Sequence, residues 1–338
     1  MTRKRRFADE VVTLAHGAGG QSSVALFDAV FGSAFGNEWL DRREDGAVLD
    51  VPPGHRLVVT TDSFVVKPRR FPGGSIGHLA VHGTVNDLAV MGARPRWLTA
   101  AFVLEEGLRI DELRAIVTDM ASAAVECGVV VVAGDTKVVE RGAADGIYIT
   151  TTGVGLRPEG VRLGAELVRP GDRIVVSGTL GDHGVAVLVA RGDLQLAGDV
   201  RSDTASVYVQ TAALLAAVPA TRWLRDPTRG GLASALNELA QACGLGVWLD
   251  ELSLPVRPEV AGACEMLGLD PLYIANEGKV VAVVPAVAAD TAMAALGPHA
   301  AIIGEIEATP VGMVVLRTGI GGTRIVDLLV GDPLPRIC

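Results

Sequence analysis

Five aspartates spread along the sequence have the chemistry to bind magnesium and phosphate. Three of them, Asp62, Asp135 and Asp226, follow apolar runs typical of β-strands. Asp87 lies in a predicted helix that contains several glycines, and Asp45 lies in a Glu-Asp-Gly turn. Carboxylate oxygens on separate loops suit the hard cation Mg²⁺ better than a soft metal. A single aspartate at such a place is more often a helix cap or a turn residue. Five of them beside glycines favour a site for Mg²⁺ and nucleotide phosphates.

A glycine-rich segment near the N-terminus, His16-Gly17-Ala18-Gly19-Gly20, precedes a helix predicted to begin at Ser22 or Ser23. Successive backbone N–H groups in such a segment can surround phosphate oxygens as a nest does. The segment by itself also fits a plain turn before a helix. The sequence contains neither a Walker A loop nor a GxGxxG turn, so the two commonest nucleotide signatures are absent.

A possible cation and a possible base lie beside predicted strands. Lys137 ends the string Gly134-Asp135-Thr136-Lys137, and Glu277 lies in Asn276-Glu277-Gly278-Lys279. The chain has only four lysines, at positions 4, 67, 137 and 279, so a lysine inside a motif carries extra weight. The pattern alone fits equally well an ordinary pair of charged residues in solvated loops.

The last residue, Cys338, ends a segment from Gly331 to Cys338 that contains two prolines and has no helical period. We expect an extended, mobile tail, whose eight residues span about 25 Å at ~3.1 Å per residue. A thiol at its end could carry a group between sites. The α-carboxylate beside it disfavours the thiolate and Arg336 favours it, so the sequence leaves the thiol's pKa open. A cysteine found at the terminus by chance is the simpler interpretation.

Two histidines, His78 and His82, are four residues apart on a predicted helix and share one face, as in two-histidine metal sites. No glutamate completes an HExxH pattern and no cysteine lies nearby. A zinc site here is therefore disfavoured.

Strands and helices alternate along the chain, with a cluster of turn residues between Arg157 and Gly171 that predicts a domain boundary. The spacing of apolar residues predicts helices at 74–92, opening at Ser75, at 109–124, ending at Gly128, and near 203–217, 230–243 and 257–267. It predicts strands at 56–61, 129–133, 147–154 and 173–177, and near 221, 247, 279 and 312.

Length and composition bound the class of protein. With 338 residues, 49% hydrophobic and 20% charged, the chain suits about two globular domains and excludes disorder. The net charge of −9 and the lack of a basic stripe argue against a nucleic-acid partner. No run of 18 apolar residues and no signal-peptide core occur, which predicts a cytoplasmic protein without a membrane partner. Four cysteines without CxxC spacing predict reduced thiols.

Nine strings together resemble the HypE family of hydrogenase maturation factors, within the superfamily of aminoimidazole ribonucleotide synthetase, selenophosphate synthetase and thiamine-phosphate kinase. The aspartate-containing strings are shared across the superfamily, whereas the terminal Pro-Arg-Ile-Cys is the specific one. The strings are His16 to Gly20, Thr60 to Ser63, Phe71 to Gly77, Gly83 to Ala89, Gly134 to Val139, Ser177 to Gly184, Arg225 to Gly231, Ala275 to Lys279 and Pro335 to Cys338.

The resemblance implies an α+β / α/β two-domain fold. Its parts would be an N-terminal, ATP-binding α+β domain (1–160) that forms an intersubunit β-barrel in a homodimer, a C-terminal α/β domain (161–330), and a mobile tail (331–338). It also implies partners: HypF would load a carbamoyl group onto the tail thiol, and the product would pass as cyanide to iron held by HypC and HypD.

The resemblance further implies that the chain dehydrates the S-carboxamide on Cys338 to a thiocyanate with ATP and Mg²⁺, Glu277 taking the nitrogen proton and Lys137 stabilising developing charge. Mg²⁺ would be held by Asp45, Asp62, Asp87, Asp135 and Asp226. The nucleotide would contact His16, Gly17, Gly19, Gly20, Asp62, Asn86, Asp87, Gly134, Asp135, Thr136 and Asp226.

Three other functions stay open from the sequence. A superfamily enzyme acting on a free small molecule would not need Cys338. A scaffold that binds nucleotide and docks partners would show no turnover. A thiol-based metal or redox carrier would need no ATP, and the density of aspartate and glycine argues against it.

Overall fold

A computed structural model describes residues 7–18, 20–193, 199–329 and 336–337. The strands are β1 (His55–Phe64), β2 (Arg70–Phe71), β3 (Gly74–Ser75), β4 (Arg94–Glu105), β5 (Val130–Val139), β6 (Ile147–Pro158), β7 (Arg173–Val176), β8 (Trp223–Arg225), β9 (Gly246–Asp250), β10 (Val281–Val284), β11 (Ala301–Glu307), β12 (Val314–Arg317) and β13 (Thr323–Ile325).

The α-helices are α1 (Gln21–Leu26), which continues through a π-helical turn (Phe27–Phe31) into α2 (Gly32–Phe35), then α3 (Glu38–Asp41), α4 (Ile76–Val90), α5 (Ile110–Cys127), α6 (Asp182–Arg191), α7 (Tyr208–Ala217), α8 (Gly231–Cys243), α9 (Pro258–Leu267) and α10 (Ala289–Leu296). Short 3₁₀ turns lie at Leu14–Gly17, Ala165–Leu167, Glu251–Ser253, Pro271–Tyr273 and Ala286–Ala288. Within the described ranges, no helix has both the length and the hydropathy needed to cross a bilayer.

The first domain is a four-stranded sheet in the order β1-β6-β4-β5, covered on one face by α4 and α5. The Ser75 side chain accepts a hydrogen bond from Gly77 N and starts α4, and Gly128 ends α5 with a φ of 66°, both at the residues predicted. The central strand β4 was not predicted. It pairs antiparallel with β6 and parallel with β5, which α5 connects to it by a crossover.

The register of this sheet separates two of the aspartates. Asp62 pairs across β6 and β4 with Gly134 on β5, so β1 and β5 are the two edges, roughly 14 Å apart at about 4.8 Å per strand. Asp135 is the next residue after Gly134 and therefore points to the opposite face of the sheet from Asp62. Both aspartates lie inside their strands. The prediction that they follow the strands is therefore wrong. Asp226 does follow its strand, β8.

The second domain is a seven-stranded sheet in the order β13-β12-β9-β11-β7-β10-β8. Only β12 and β9 pair in parallel, and every other neighbouring pair is antiparallel. The prediction of two domains is confirmed, but this domain is α+β and not α/β. Alternation of helix and strand along a sequence does not fix strand direction, because neighbours in the sheet come from distant segments.

Asn86 of α4 connects the two domains. Its Nδ2 donates to the carbonyl oxygens of Ala205 (2.9 Å) and Glu277 (3.2 Å), and its Oδ1 accepts from Val207 N (2.8 Å). The residue is buried, with 1% of its surface exposed. Its amide thereby forms three hydrogen bonds with backbone groups of the second domain.

We predict that Asn86→Ala lowers the free energy of unfolding by about 3 kcal/mol, at about 1 kcal/mol for each of the three hydrogen bonds lost. Urea denaturation of the purified variant measures this change. Asn86→Asp is the matched comparison. It keeps the oxygen that accepts from Val207 N, but it replaces the amide nitrogen by an oxygen that faces the carbonyl oxygens of Ala205 and Glu277. An Asn86→Ala variant as stable as the wild type would contradict the role of this side chain.

Candidate functional site

Carboxylates from both domains meet where the domains join. Asp62 comes from β1, Asp87 from α4, Asp226 from the loop after β8 and Glu277 from the loop before β10. Burial, followed by the negative charge of Asp87, raises the pKa of Asp62 to about 6 and that of Asp226 to about 7. Burial also raises the pKa of Asp87, whose carboxylate accepts a hydrogen bond from Thr60 Oγ1 (2.6 Å). These four acidic groups are called the carboxylate cluster below.

Glu277 is the most buried carboxylate of this cluster, with 2% of its surface exposed. Its Oε1 has no hydrogen-bond partner among the described residues. Burial, and then the charges of Asp203 and Asp226, raise its pKa well above the ordinary value. In its ionised form, a carboxylate of raised pKa is a stronger base than an ordinary carboxylate.

Asp203 fixes the loop that carries Glu277. Its carboxylate accepts from Glu277 N (3.0 Å), from Gly278 N (3.3 Å) and from Lys279 Nζ (2.9 Å). A Cβ at position 278 would lie 1.8 Å from the carbonyl oxygen of Asp203, so only glycine permits this approach. Asp203 was not singled out from the sequence, and the helix predicted near 203–217 begins at Tyr208.

Two arginines face the carboxylate cluster, and neither was singled out from the sequence. The charge of Arg229 lowers the pKa values of Asp62 and Glu277, and that of Arg225 lowers those of Asp87 and Asp226, in each case against the larger effect of burial. Both belong to the string from Arg225 to Gly231, which contains Asp226. Their placement in that string was the available signal.

The glycine-rich segment and the Lys137 string meet elsewhere, in a cleft at the β5 edge of the first sheet. Its lining includes His16, Gly17, Gly134, Asp135, Thr136 and Lys137, together with the apolar side chains of Phe27, Phe31 and Phe102. A Cβ on Gly17 would lie 2.9 Å from Val138 N, and one on Gly134 would lie 2.5 Å from the Ala100 carbonyl oxygen. The two glycines therefore allow close backbone packing at this cleft.

Within the cleft the charged side chains already have partners. Lys137 Nζ lies 2.8 Å from Asp135 Oδ2, and both side chains are mostly exposed. His16 accepts a hydrogen bond from Thr13 N at Nδ1 (3.0 Å), and its Nε2 lies 3.0 Å from Asp9 Oδ2. The hydrogen bond with Lys137 lowers the pKa of Asp135, in contrast to the cluster aspartates.

The five predicted magnesium ligands do not converge within one chain. Asp62, Asp87 and Asp226 share the carboxylate cluster, whereas Asp135 lies at the other edge of the sheet and Asp45 is exposed in the loop after α3. In the described part of the chain, no three His, Cys, Asp or Glu side chains are arranged to hold a metal. The chemistry still fits Mg²⁺, which commonly takes one or two carboxylates and completes its shell with phosphates and water. Gly19 and Cys338 lie outside the described residues.

Comparison with known proteins agrees with this architecture. Residues 43–157 match the AIR synthase related protein N-terminal domain, and residues 169–317 match the corresponding C-terminal domain. The chain is 54% identical to the carbamoyl dehydratase HypE of Rhodobacter capsulatus, over 98% of this chain and 99% of that protein.

Two crystal structures are also similar. One, of the hydrogenase maturation protein HypE in complex with ATP, is 45% identical with a TM-score of 0.92, over 96% of this chain and 99% of that one. The other, of a HypE-HypF complex, is 46% identical with a TM-score of 0.79, over 90% of this chain and 100% of that one. The resemblance found in the sequence is thereby confirmed. The chain belongs to the HypE family of carbamoyl dehydratases.

Proposed function

We propose that this protein uses ATP to dehydrate a carbamoyl group carried on the sulfur of Cys338, giving a thiocyanate that supplies the cyanide ligand for the iron of [NiFe]-hydrogenase. The observation that supports this reaction best is the buried Glu277, whose Oε1 is unpartnered in the described residues and whose pKa is raised. A dehydration of this kind needs a strong base in a site closed to water.

The reaction balances as two steps. The amide oxygen attacks the γ-phosphorus of ATP, the bond to ADP breaks, and the amide nitrogen loses one proton. Glu277 then takes the second nitrogen proton, the C–O bond breaks, and phosphate leaves with its electron pair. The products are a nitrile on sulfur, ADP, phosphate and one proton in total. Phosphorylation is needed because an amide oxygen is a poor leaving group.

Asp62, Asp87 and Asp226 would hold Mg²⁺ together with the phosphates of ATP. Bound Mg²⁺ supplies charge neutralisation for phosphoryl transfer. The raised pKa values of Asp62 and Asp226 support this assignment, since carboxylates crowded in a buried place are stabilised by a divalent cation. The glycine-rich segment and the string from Gly134 to Lys137 would contact the nucleotide, with Lys137 stabilising charge on the reacting group.

A homodimer explains how these separated groups act together. The face of the first sheet away from α4 exposes Val59, with 62% of its surface exposed, and at the β5 edge presents Asp135 and Lys137. Apolar side chains on such a face favour pairing with a second sheet. We propose that two copies pack these faces into a barrel, which brings Asp135 and Lys137 of one copy toward the carboxylate cluster of the other.

The proposed partners are HypF, as donor of the carbamoyl group, and HypC with HypD, as acceptor of cyanide. The structure of a HypE-HypF complex, similar to this chain over 90% of its length, supports the first. The cytoplasm is the proposed compartment, because a thiol carrier must stay reduced.

We predict that Glu277→Gln lowers the rate of dehydration at least 100-fold, because an amide cannot accept the nitrogen proton. Intact mass after incubation with HypF, carbamoyl phosphate and Mg-ATP measures it. The wild type should gain a carbamoyl group on Cys338 and then lose the mass of water, whereas the variant should keep the carbamoyl group.

Cys338→Ala should bind ATP but gain no carbamoyl group, and the exposed Glu265→Gln should behave as the wild type. A wild-type tail that stays unmodified, while a related HypE is loaded in parallel, would overturn the proposed function. Loss of ATP binding in Cys338→Ala would contradict the separation of carrier and nucleotide site.

The buried carboxylates predict a stability that falls as pH rises. Burial in the folded state raises the pKa of Asp226 to about 7, so folding takes up a proton at this group between about pH 4 and pH 7. The free energy of unfolding therefore falls as the pH rises through this range. We expect Asp226→Asn, without nucleotide, to raise the free energy of unfolding at pH 8 by about 1 to 4 kcal/mol, from ~1.4 kcal/mol per pKa unit, and far less at pH 4.5.

Urea denaturation at the two pH values measures the effect, with the exposed Asp50→Asn as control. A variant that is less stable than the wild type at pH 8 would show that the charge of Asp226 is well compensated in the fold.

The dimer is tested at Val59. Val59→Asp places a charge on the proposed interface, and we expect it to weaken association at least tenfold, since an unpaired buried charge costs more than 1.4 kcal/mol. Sedimentation over a range of concentrations measures this. Val287→Asp, at a site with 98% of the side chain exposed, is the matched control. A monomeric wild type, or a Val59→Asp variant that associates normally, would refute the interface.

A further inference from the structure

The two described residues of the tail are bound to the body of the protein. Ile337 is buried, with 3% of its surface exposed, and belongs to a hydrophobic core cluster formed by residues of both domains. Arg336 pairs with Asp145 (Nη1 to Oδ2, 2.6 Å) and donates from Nε to the Val65 carbonyl oxygen (3.1 Å). The backbone oxygen of Arg336 accepts from Lys67 N (3.2 Å). Arg336 and Ile337 thus have a defined binding site.

His183 meets this site from the second domain. It lies in the first turn of α6 and is fully buried, and its Nε2 is 2.8 Å from the carbonyl oxygen of Ile337. Its Nδ1 is 2.8 Å from Ser202 Oγ, and the edge of its ring contacts Phe71. A carbonyl oxygen only accepts, so the proton is on Nε2 and Nδ1 accepts from the serine hydroxyl. Burial lowers the pKa of His183, which keeps this neutral tautomer.

One short loop connects His183 to the catalytic base. Ser202 is itself fixed, because its N donates to the Pro72 carbonyl oxygen (2.8 Å) and its Oγ accepts from Thr204 N (3.1 Å). The next residue, Asp203, accepts from the backbone of Glu277. The same three residues therefore hold the histidine that contacts the tail and the loop that carries the base.

We propose that His183 is a positioning residue: its hydrogen bond to the Ile337 carbonyl holds the end of the tail so that the group on Cys338 is presented to Glu277. Ile337 supplies the apolar anchor and the pair of Arg336 with Asp145 supplies orientation. This inference rests on the proposed function, since it concerns the same carbamoylated thiol.

Digestion with carboxypeptidase Y tests the bound tail without any turnover. The bond that the enzyme cuts first, Ile337–Cys338, contains the carbonyl that His183 binds. His183→Phe removes the donor, and we expect release of Cys338 to become about tenfold faster, the effect of losing one buried hydrogen bond. His183→Gln retains an N–H donor and should restore most of the protection. Thr211→Val, which loses a buried hydrogen bond far along the chain from His183, controls for general destabilisation.

Single-turnover dehydration of the carbamoylated protein tests the function of the contact. We expect His183→Phe to slow the conversion about tenfold at saturating ATP while its ATP affinity stays unchanged, and His183→Gln to recover most of the rate. Ile337→Ala, a change in the tail and not in the core of the second domain, should slow it similarly. The double variant should be no slower than the worse single one, because both changes disrupt one contact.

The outcomes separate the two proposals. A wild type that forms no thiocyanate would refute the proposed dehydration. The protection of Cys338 from carboxypeptidase does not depend on that reaction and is measured separately. The role of His183 is overturned if the wild type forms thiocyanate and both His183→Phe and Ile337→Ala behave as the wild type does. Both variants would then match it in the release of Cys338 and in the rate of dehydration. Should His183→Phe fail to fold, Ile337→Ala and His183→Gln decide the question.

Discussion

The structure depends on the burial of several carboxylates together with too little positive charge to balance them. Among the described residues, the charges of Arg225 and Arg229 offset only part of the effect of burial on Asp62, Asp87, Asp226 and Glu277. Isolated buried charges are so costly that the groups respond by holding protons, as their raised pKa values indicate. A bound cation would relieve this arrangement, and this is the physical basis for proposing a magnesium nucleotide at the cluster.

The hydrogen bonds around this cluster hold the two domains in a fixed relation. Asn86 binds the backbone of Glu277 and the backbone of Ala205 and Val207, and Asp203 binds the loop that contains Glu277. Two carboxylates of the cluster come from the first domain and two from the second. The site therefore exists only while the two domains stay packed together, because the hydrogen bonds between them fix the positions of its carboxylates.

The first sheet imposes the opposite constraint on the remaining candidates. Because Asp62 and Asp135 lie on opposite edges and opposite faces, no side-chain rotation can bring them to one ion in a single chain. Asp62 and Asp135, which were predicted to bind one ion, therefore either meet across two copies of the chain or have different roles. The proposed dimer resolves this by using the sheet face away from α4, where Val59 is exposed.

Features that are local in sequence were determined by the sequence itself. Ser75 starts α4 and Gly128 ends α5 because capping and a left-handed φ involve only neighbouring residues, and the motif strings identified the family, Glu277 and the cluster aspartates. The pairing of β4 with both β5 and β6, the direction of the strands in the second sheet, the separation of Asp135 from Asp62 and the role of Asp203 were decided only by the tertiary structure. Each depends on pairing, burial or charge between segments far apart in the chain, and no local pattern carries that information.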